Sequence, residues 1–311
     1  MQYVIGIDSG GTKYLVKALD LAGNTLAEFT GEPASHYRVS EKEALRRIER
    51  NIGCCLAQFG AKPEDCVCLV CGTTGLDSDG DRRTIEGMYR LLPGFRCPEF
   101  FVNDAEAAHF AATGGVGVVV IAGTGSIAYG RNSQGETARC GGWPLCIFGD
   151  EGSGAWIARQ GLYHLTLWFD GQAPRSCLTE CLCETLCIRD RKDLLEICRQ
   201  IDTGGWKDPG LAALTDRAAD AGDEAAARII EAAARHTCRL AEAVIEPLGL
   251  DREKSFKAGA WGSAIVKSQR HFRAFRQGLL TKYPGAEVLI AERDAADGAG
   301  RMALCRFQKE R

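Results

Sequence analysis

The chain has 311 residues, of which 45% are hydrophobic, and it carries 38 basic against 41 acidic side chains. This length exceeds that of most single domains, so we expect two domains with a substantial buried core. Because the formal net charge is only -3 and no long basic run is present, the composition argues against binding to nucleic acid or to an anionic membrane surface.

The N-terminal residues, MQYVIGIDSGG, contain neither a basic segment nor a small-residue cleavage site. No apolar run approaches the roughly 18 residues that a membrane-spanning helix needs. We therefore expect a soluble, cytoplasmic protein with no membrane association.

Fifteen cysteines include two local groups. Their odd number and the lack of a secretory signal favour reduced thiols over disulfides. Cys66, Cys68 and Cys71 lie in an apolar, strand-like run, whereas CLTECLCETLC, residues 177–187, has the four-residue steps of a helix. Neither group contains paired CxxC motifs at zinc-ribbon spacing, so we expect core packing, with a metal or cluster site as the alternative.

The first segment alternates strand-like runs with polar turns. The runs YVIGID, YLVKALD and TLAEFTGE are separated by SGGTK and LAGN, which predicts an antiparallel meander. A helix is predicted over residues 40–59, because Ser40 is a good N-cap and Glu43 follows three residues later. VCLVCG and EFFVND are then predicted as buried strands.

From residue 117 the same plan returns as GVVVIA, GTGS, IAYGRN, SQGE and TARCGG, which indicates an internal duplication. Helices are predicted at 151–168, 175–200, 208–220 and 223–248, with Asp208-Pro209 as a start signal and Gly249 as a stop signal. SFKAGAW and AEVLIAE are predicted strands, and residues 294–308 form a predicted closing helix.

The two glycine turns, SGGTK and GTGS, are candidates for binding phosphate. Glycine lets backbone amides approach an anion closely, and the turns add the hydroxyls of Thr12 and Thr124, with Ser126 nearby. Asp8 ends the first strand, where a carboxylate could hold a water molecule bound to Mg²⁺. A plain hairpin and a turn-capping aspartate would explain these features separately, and it is the repetition of the turn that favours a nucleotide site.

Asp104, in VNDAEAAHFAA, lies between a buried strand and a helical run. A carboxylate in this position could accept the proton of a sugar hydroxyl during phosphoryl transfer. The alternative is that Asp104 serves as a helix N-cap. Glu106 and His109 need not face the same way as Asp104, so we expect solvated or structural roles for them.

GGWPLCIFGDEGSGAWIARQG, residues 141–161, concentrates glycines around Trp143, Asp150 and Glu151. So many conformationally free residues are hard to explain by packing. An aromatic ring beside carboxylates suits a carbohydrate, which presents apolar faces and hydroxyl edges. A tight turn followed by a helix cap is the alternative.

With these residues the chain resembles the sugar-kinase, actin and Hsp70 superfamily and, within it, the N-acetylglucosamine kinase and BadF/BadG/BcrA/BcrD ATPase family. GIDSGGTK resembles the first phosphate motif of that family, IAGTGS the second, and FKAGAWGSAI the adenosine motif. The resemblance implies an α/β fold of two duplicated ribonuclease-H-like, actin-like ATPase lobes with ATP and Mg²⁺ in the cleft between them. The expected lobes are residues 1–112 plus 294–311 and residues 113–293.

The same resemblance implies roles for individual residues. Asp104 would be the catalytic base, and Asp8 would hold Mg²⁺ through water. ATP would be bound by Gly10, Gly11, Thr12, Lys13, Gly123, Thr124, Gly125, Ser126, Gly259, Gly262 and Ser263. The amino-sugar pocket would contain Asp104, Gly141, Gly142, Trp143 and Asp150, with Thr74, Ser35 and His36 as looser matches.

The implied activity is ATP-dependent transfer of the γ-phosphate to a hydroxyl of an amino sugar, N-acetylglucosamine and/or N-acetylmuramic acid. Family members also phosphorylate glucosamine, and Pro144 departs from the family pattern, so the sugar stays open. The partner would be this small molecule, with a homodimer as the expected assembly.

Two alternatives remain. The first is an ATPase that activates a radical dehydratase and carries an iron–sulfur cluster between two subunits. FGDEGSG lacks the corresponding cysteine, although Cys140 and Cys146 lie just upstream. The second is a sugar-responsive binding protein without catalysis, against which Asp8, Asp104 and both turns argue.

Overall fold

The computed structural model describes residues 1–76, 78–143, 149–208 and 210–309. Its internal contacts divide the chain into two compact units, Met1–Val119 with Ala291–Arg311, and Val120–Ile290. The divisions therefore fall at 119/120 and 290/291, whereas the sequence predicts 112/113 and 293/294. Pro144, Cys146 and Pro209 lie outside the described residues.

The first unit is built on a five-stranded sheet of order β3-β2-β1-β4-β5. Its strands are β1 Tyr3–Ser9, β2 Tyr14–Asp20, β3 Thr25–Gly31, β4 Cys66–Thr73 and β5 Glu99–Asn103. Strands β1 to β3 form the predicted antiparallel meander, and β1, β4 and β5 pair in parallel. The helices of this unit are α1 Glu41–Ala57, α2 Asp79–Tyr89, α3 Asp104–Thr113 and α11 Ala295–Lys309.

Small residues let α11 lie directly on the first sheet. A Cβ atom on Gly6 of β1 would stand 2.2 Å from the backbone nitrogen of Gly300 in α11. A Cβ atom on Gly298 would stand 2.2 Å from the carbonyl oxygen of Ala107 in α3. Both distances are far below a normal contact, so the close approach requires glycine at these positions.

The second unit is built on a five-stranded sheet of order β10-β9-β6-β7-β8. Its strands are β6 Gly117–Ala122, β7 Ser126–Arg131, β8 Thr137–Gly141, β9 Phe256–Trp261 and β10 Ala286–Ile290. The helices are α4 Gly154–Phe169, α5 Cys177–Leu186, α6 Arg191–Asp202, α7 Leu211–Asp220, α8 Glu224–Ile245, α9 Ser263–Val266 and α10 Gln269–Lys282.

The two sheets repeat one plan. Three consecutive strands, β1 to β3 and β6 to β8, occupy one side of each sheet, and two later strands continue each sheet beyond its first strand. This correspondence confirms the duplication that the repeated glycine turns predict. Between its third and fourth strands the described part of the second unit has five α-helices, α4 to α8, where the first unit has α1 alone.

Other predictions need correction. The single helix predicted over residues 175–200 is two helices, because Cys187 takes a left-handed conformation with φ of 55° and Asp190 caps the new helix α6. Cys66, Cys68 and Cys71 are buried in β4 as predicted, but Cys177 and Cys187 are exposed rather than packed in a core. Helices α2 and α10 were not predicted.

No helix among the described residues has both the length and the apolar character that crossing a membrane requires.

Candidate functional site

The first glycine turn, residues 9–13, joins β1 to β2. The Gly10 amide donates to the Lys13 carbonyl across 3.1 Å, which closes the turn. Thr12 and Lys13 are exposed, and a Cβ atom on Gly10 would find no neighbour nearer than 3.5 Å. Thr74, at the end of β4, donates from its amide and its hydroxyl to the Ser9 carbonyl, at 3.1 and 3.2 Å. The turn is thus anchored at its base and open at its tip.

Asp8, at the end of β1, is a carboxylate in an unfavourable position. Burial raises the pKa of Asp8 to about 6, the nearby Lys13 opposes that rise, and the carboxylates of Asp104 and Asp294 add to it. No donor among the described residues forms a hydrogen bond with the Asp8 side chain. A partly buried carboxylate with a raised pKa would be stabilised by a further cation, and the Mg²⁺ role of Asp8 stays a prediction.

Asp104 is the first residue of α3, immediately after β5. The helix cap is the neighbouring Asn103, whose side chain accepts from the Ala105 amide at 3.0 Å. Asp104 is half-buried and lies within electrostatic range of Asp8. The N-cap is therefore Asn103, although the Asp104 carboxylate also accepts from the Ala105 amide, at 2.9 Å. A Cβ atom on Gly72, which pairs with Asp8 in the sheet, would lie 3.6 Å from Asp104 Cα.

The sequence predicts a structural or solvated role for His109 but does not identify Asp294. His109 is buried, and its Nε2 lies 2.9 Å from the Gly117 carbonyl oxygen, which agrees with a structural role. Asp294 was not predicted, although it pairs with Lys17 at 2.6 Å and contributes to the field at Asp8. It lies far from the first turn in the chain, so no local pattern could identify it.

Ser35 and His36 belong to a loop that α2 holds in place. The imidazole of His36 lies 3.9 Å from the Asp81 carboxylate, and the Tyr37 hydroxyl donates to the same carboxylate. Arg38 extends from this loop, and its guanidinium lies 3.3 Å from the position of a Cβ atom on Gly11. Sequence reasoning missed both Asp81 and Arg38.

The second glycine turn, residues 123–126, is tied to the start of α4. The Gly154 amide donates to the Gly123 carbonyl at 2.7 Å, and the Ala155 amide donates to the Thr124 carbonyl at 3.3 Å. The side chain of Thr124 is exposed, whereas Ser126 is buried and donates from its hydroxyl to the Glu151 carbonyl at 2.8 Å.

Asp150 holds the backbone of this second turn at Gly125 and Ser126. Its carboxylate accepts from the Ser126 amide at 2.7 Å, and a Cβ atom on Gly125 would stand 2.6 Å from the same carboxylate oxygen. Asp150 has a φ of 55°, which is uncommon for a residue with a side chain. The structure thus gives Asp150 a positioning role that the sequence did not suggest.

The predicted sugar-pocket residues of this unit lie at the end of β8. Gly141 and Gly142 have φ values of 85° and 73°, and the Gly142 amide donates to the Ser126 carbonyl at 2.9 Å. Trp143 follows and is 66% exposed, so its indole ring is available to a ligand.

A cavity of about 440 Å³ opens beside the second turn, within the second unit. Gly123, Thr124 and Ser263 line one part of it, and Asp216 and Ser268 line another. Gly262 has a φ of 94°, and a Cβ atom there would stand 2.5 Å from the Ala122 carbonyl, so the adenosine motif packs against the turn. Gly259 is buried within β9. The structure therefore brings the predicted second phosphate and adenosine motifs together.

Cysteines give no metal centre in the described part of the chain. No group of three or more His, Cys, Asp or Glu residues there is arranged to hold a metal ion. Cys140 lies in β8 and is partly buried. An Mg²⁺ ion needs only one or two carboxylates when substrate phosphates and water complete its coordination, so the donor set around Asp8 remains suitable.

Two five-stranded units of one plan, each with a glycine turn after its first strand, define the actin-like ATPase and sugar-kinase class of fold. A protein of this class from Chromobacterium violaceum, whose crystal structure is described as that of a candidate N-acetylglucosamine kinase, superposes with a TM-score of 0.75. The two proteins are 22% identical, and the match covers 98% of this chain and 99% of the other.

Comparison with family models is more specific. Residues 5–300 match the model of the BadF/BadG/BcrA/BcrD ATPase family, and the chain belongs to this family. An N-acetylmuramic acid/N-acetylglucosamine kinase of Clostridium acetobutylicum is 33% identical over 303 residues, covering 96% of this chain and 97% of the relative. An N-acetyl-D-glucosamine kinase of Dictyostelium discoideum is 32% identical over 311 residues, with the same coverage.

Proposed function

We propose that the protein is an ATP-dependent kinase that transfers the γ-phosphate of ATP to a hydroxyl of an N-acetylated amino sugar. The observation that supports this proposal is that Asp8 pairs with Gly72 in the sheet and that a Cβ atom on Gly72 would lie 3.6 Å from Asp104 Cα. Asp104 and Lys13 both affect the pKa of Asp8, in opposite directions. This proximity supports a single site that contains the candidate base and the candidate phosphate turn. The two curated relatives, matched over nearly their full length, supply the substrate class.

In this reaction Asp104 would accept the proton of the sugar hydroxyl while the hydroxyl oxygen attacks the γ-phosphorus. The bond between the γ-phosphorus and the bridging oxygen breaks, and ADP leaves with the electron pair. The products are ADP and a sugar phosphate, and the proton on Asp104 passes to solvent. Backbone amides of the glycine turns would stabilise the phosphate oxygens.

Mg²⁺ would neutralise phosphate charge, and Asp8 is the residue best suited to hold it, through water. Lys13 lies close enough to lower the pKa of Asp8, so it would be a second cation near the same phosphates. In the second unit, the cavity beside the second turn would receive the nucleoside, since Gly123, Thr124 and Ser263 line it. Trp143 and the glycines before it would contact the sugar, whose apolar face suits an indole ring.

The proposal is tested by ADP release from the purified protein with Mg-ATP and, in separate reactions, N-acetylglucosamine, N-acetylmuramic acid, glucosamine, glucose or no sugar. We expect one or both N-acetylated sugars to accelerate ADP release at least tenfold over the reaction without sugar. ADP release that no sugar accelerates would contradict the kinase proposal and favour an ATPase of the dehydratase-activating kind. An air-sensitive brown colour of the protein would support that second function.

A further inference from the structure

The cavity of the second unit extends away from the second glycine turn along two helical segments. A Cβ atom on Gly154 would lie 3.0 Å from the Gly123 carbonyl oxygen, 3.7 Å from the Ala212 side chain and 3.8 Å from the Ala264 side chain. Helix α7 and the segment that starts at Ser263 therefore both begin beside the turn. Residues farther along either segment line the part of the cavity that is remote from the turn.

Asp216 and Ser268 occupy this remote part. Asp216 lies four residues beyond Ala212 in α7, about one helical turn or roughly 5.4 Å along the axis, whereas Ser268 lies beyond the end of α9 and is the N-cap of α10. Both residues line the same cavity as Gly123 and Thr124. The apolar side chains of Ile157, Ala213 and Ile230 also line it, so a flat ring could be packed between the turn and the Asp216 carboxylate.

The Ser268 hydroxyl is fully engaged. It donates to Oδ1 of Asp216 and accepts from the His271 amide at 3.1 Å, so it caps α10 while it orients the carboxylate. Ser268 is only 4% exposed. The second carboxylate oxygen, Oδ2 of Asp216, receives no hydrogen bond from any described residue.

Asp216 is half-buried, so its carboxylate is only partly hydrated. Burial and the neighbouring Asp220 carboxylate raise the pKa of Asp216, and the Ser268 hydroxyl, Arg270 and Arg217 only partly offset this rise. A ligand that brings an N–H group to Oδ2 would replace the lost hydration with a hydrogen bond to a charged acceptor. A ligand with a carbonyl oxygen at that point would face repulsion instead.

We propose that Oδ2 of Asp216 accepts a hydrogen bond from the exocyclic amino group of adenine, so that this residue selects adenine nucleotides over 6-oxopurine nucleotides. The inference rests on the proposed function, which places phosphates at the second turn. In a nucleotide held there, the ribose lies next to the phosphates and the base lies farther away, on the side of Asp216. The 6-amino group of adenine is a donor, whereas position 6 of hypoxanthine carries an acceptor.

The experiment is calorimetric titration of the intact protein with Mg-ADP, Mg-IDP, 2′-deoxy-ADP and 3′-deoxy-ADP. The variants are Asp216→Ala and Asp216→Asn, and the matched control is Asp220→Asn. Asp220 is an exposed aspartate one turn farther along α7 whose charge affects the pKa of Asp216 but which does not line this cavity, so it separates an effect of charge from an effect of contact. We expect the wild type to bind ADP at least tenfold more tightly than IDP, since a hydrogen bond to a charged group contributes about 1.5–3 kcal/mol.

Asp216→Ala should weaken ADP binding by about tenfold or more while IDP binding changes less than threefold, so the selectivity disappears. Asp216→Asn, whose amide can donate to an oxygen at position 6, should bind ADP and IDP about equally. Asp220→Asn should retain the wild-type selectivity. Equal losses for ADP and IDP in Asp216→Ala would overturn the inference, as would an Asp216→Ala effect that is present with ADP but absent with either deoxy nucleotide, because that result assigns the contact to the ribose.

Because no sugar is present in these titrations, the two proposals fail separately. A wild type that binds ADP selectively through Asp216 but phosphorylates none of the sugars keeps the inference and removes the proposed kinase activity. A wild type that binds neither ADP nor IDP overturns both.

Discussion

One aspartate lies beside each glycine turn, and the two carboxylates differ in their hydrogen bonding. Asp150 supports the second turn with a carboxylate that accepts from the Ser126 amide at 2.7 Å, in direct contact with the Gly125 position. Asp8, beside the first turn, is partly buried without a hydrogen-bond donor among the described residues, and its pKa is raised to about 6. The difference separates a carboxylate that holds the backbone in place from one that is available to a ligand.

The same contrast holds for the turns themselves. The second turn is fixed from two directions, by α4 through the amides of Gly154 and Ala155 and by Asp150. The first turn is closed by its own bond from Gly10 to Lys13 and is anchored at its base by Thr74, while Thr12 and Lys13 at its tip are exposed. Duplication has therefore kept the position of the turn in the sheet while the means of holding it has diverged.

The largest expected effect is on the turnover number and concerns Asp104, the candidate base near Asp8. Asp104→Asn should lower kcat by about 100- to 10,000-fold, the range that a positioned general base contributes, while the Kd for Mg-ATP changes little. Glu106→Gln, in the same helix, is the matched control and should stay within about threefold of the wild-type kcat. Steady-state kinetics together with nucleotide titration check this, and an Asp104→Asn variant with wild-type turnover would remove Asp104 from the mechanism.

Asp8→Asn tests whether the negative charge of Asp8 lowers the free energy of unfolding. The folded-state pKa of about 6 lies above the ordinary value for aspartate, so the wild type loses stability as pH rises from about 4 to about 6. The asparagine side chain cannot ionise, so in metal-free buffer the variant should be more stable above pH 6, by at most about 3 kcal/mol. This difference should vanish below about pH 4.

Urea unfolding at several pH values in the presence of a chelator measures this difference. The exposed substitution Glu49→Gln serves as the control, with a change in free energy of unfolding within about 0.5 kcal/mol at every pH. An Asp8→Asn variant that is less stable than the wild type at pH 7 would show that Asp8 has a structural partner after all.

Substitution of Asp150 should lower the free energy of unfolding, whereas Asp8→Asn should raise it. Asp150→Ala removes the acceptor for the Ser126 amide and places alanine at a φ of 55°, so the free energy of unfolding should fall by about 2 kcal/mol. Asp150→Asn keeps an acceptor oxygen and tolerates that backbone conformation, so its loss should be about half as large. Thermal and urea unfolding of both variants check the order, and equal losses would argue against the hydrogen bond to Ser126.

The smallest effect is expected from a matched pair of glycine substitutions. A methyl group on Gly125 would meet the Asp150 carboxylate, whereas one on Gly10 would meet nothing nearer than 3.5 Å. Gly125→Ala should therefore cost about 1–2 kcal/mol of stability and Gly10→Ala less than about 0.5 kcal/mol. Similar losses for both variants would mean that the two turns are held alike.

The elements of the sheets could be predicted from the sequence because their patterns are local. Alternating apolar runs and glycine turns mark β1 to β3 and β6 to β8, and the repetition of those turns predicts the duplicated plan. Helix α10 was missed because its many charged residues obscure the buried positions His271, Phe275 and Leu279, although their four-residue spacing was present in the sequence.

The functional groups were less predictable where they depend on tertiary contacts. Asp8, Asp104 and the glycine turns stand at strand ends, where the sequence alone indicates a site. The contact of Asp150 with Gly125, the ion pair of Asp294 with Lys17 and the hydrogen bond of Ser268 to Asp216 join residues that are distant in the chain or carry no motif. Only the folded structure brings these residues together.

The most direct test of the proposed activity is product stoichiometry. The wild-type protein would be incubated with Mg-ATP and N-acetylglucosamine, and ADP and sugar monophosphate would be quantified by mass spectrometry over the same time course. We expect the two products to appear in a ratio of about one, with both lost in Asp104→Asn. ADP that accumulates without sugar phosphate, for this sugar and for N-acetylmuramic acid alike, would contradict the assignment of the protein as an amino-sugar kinase.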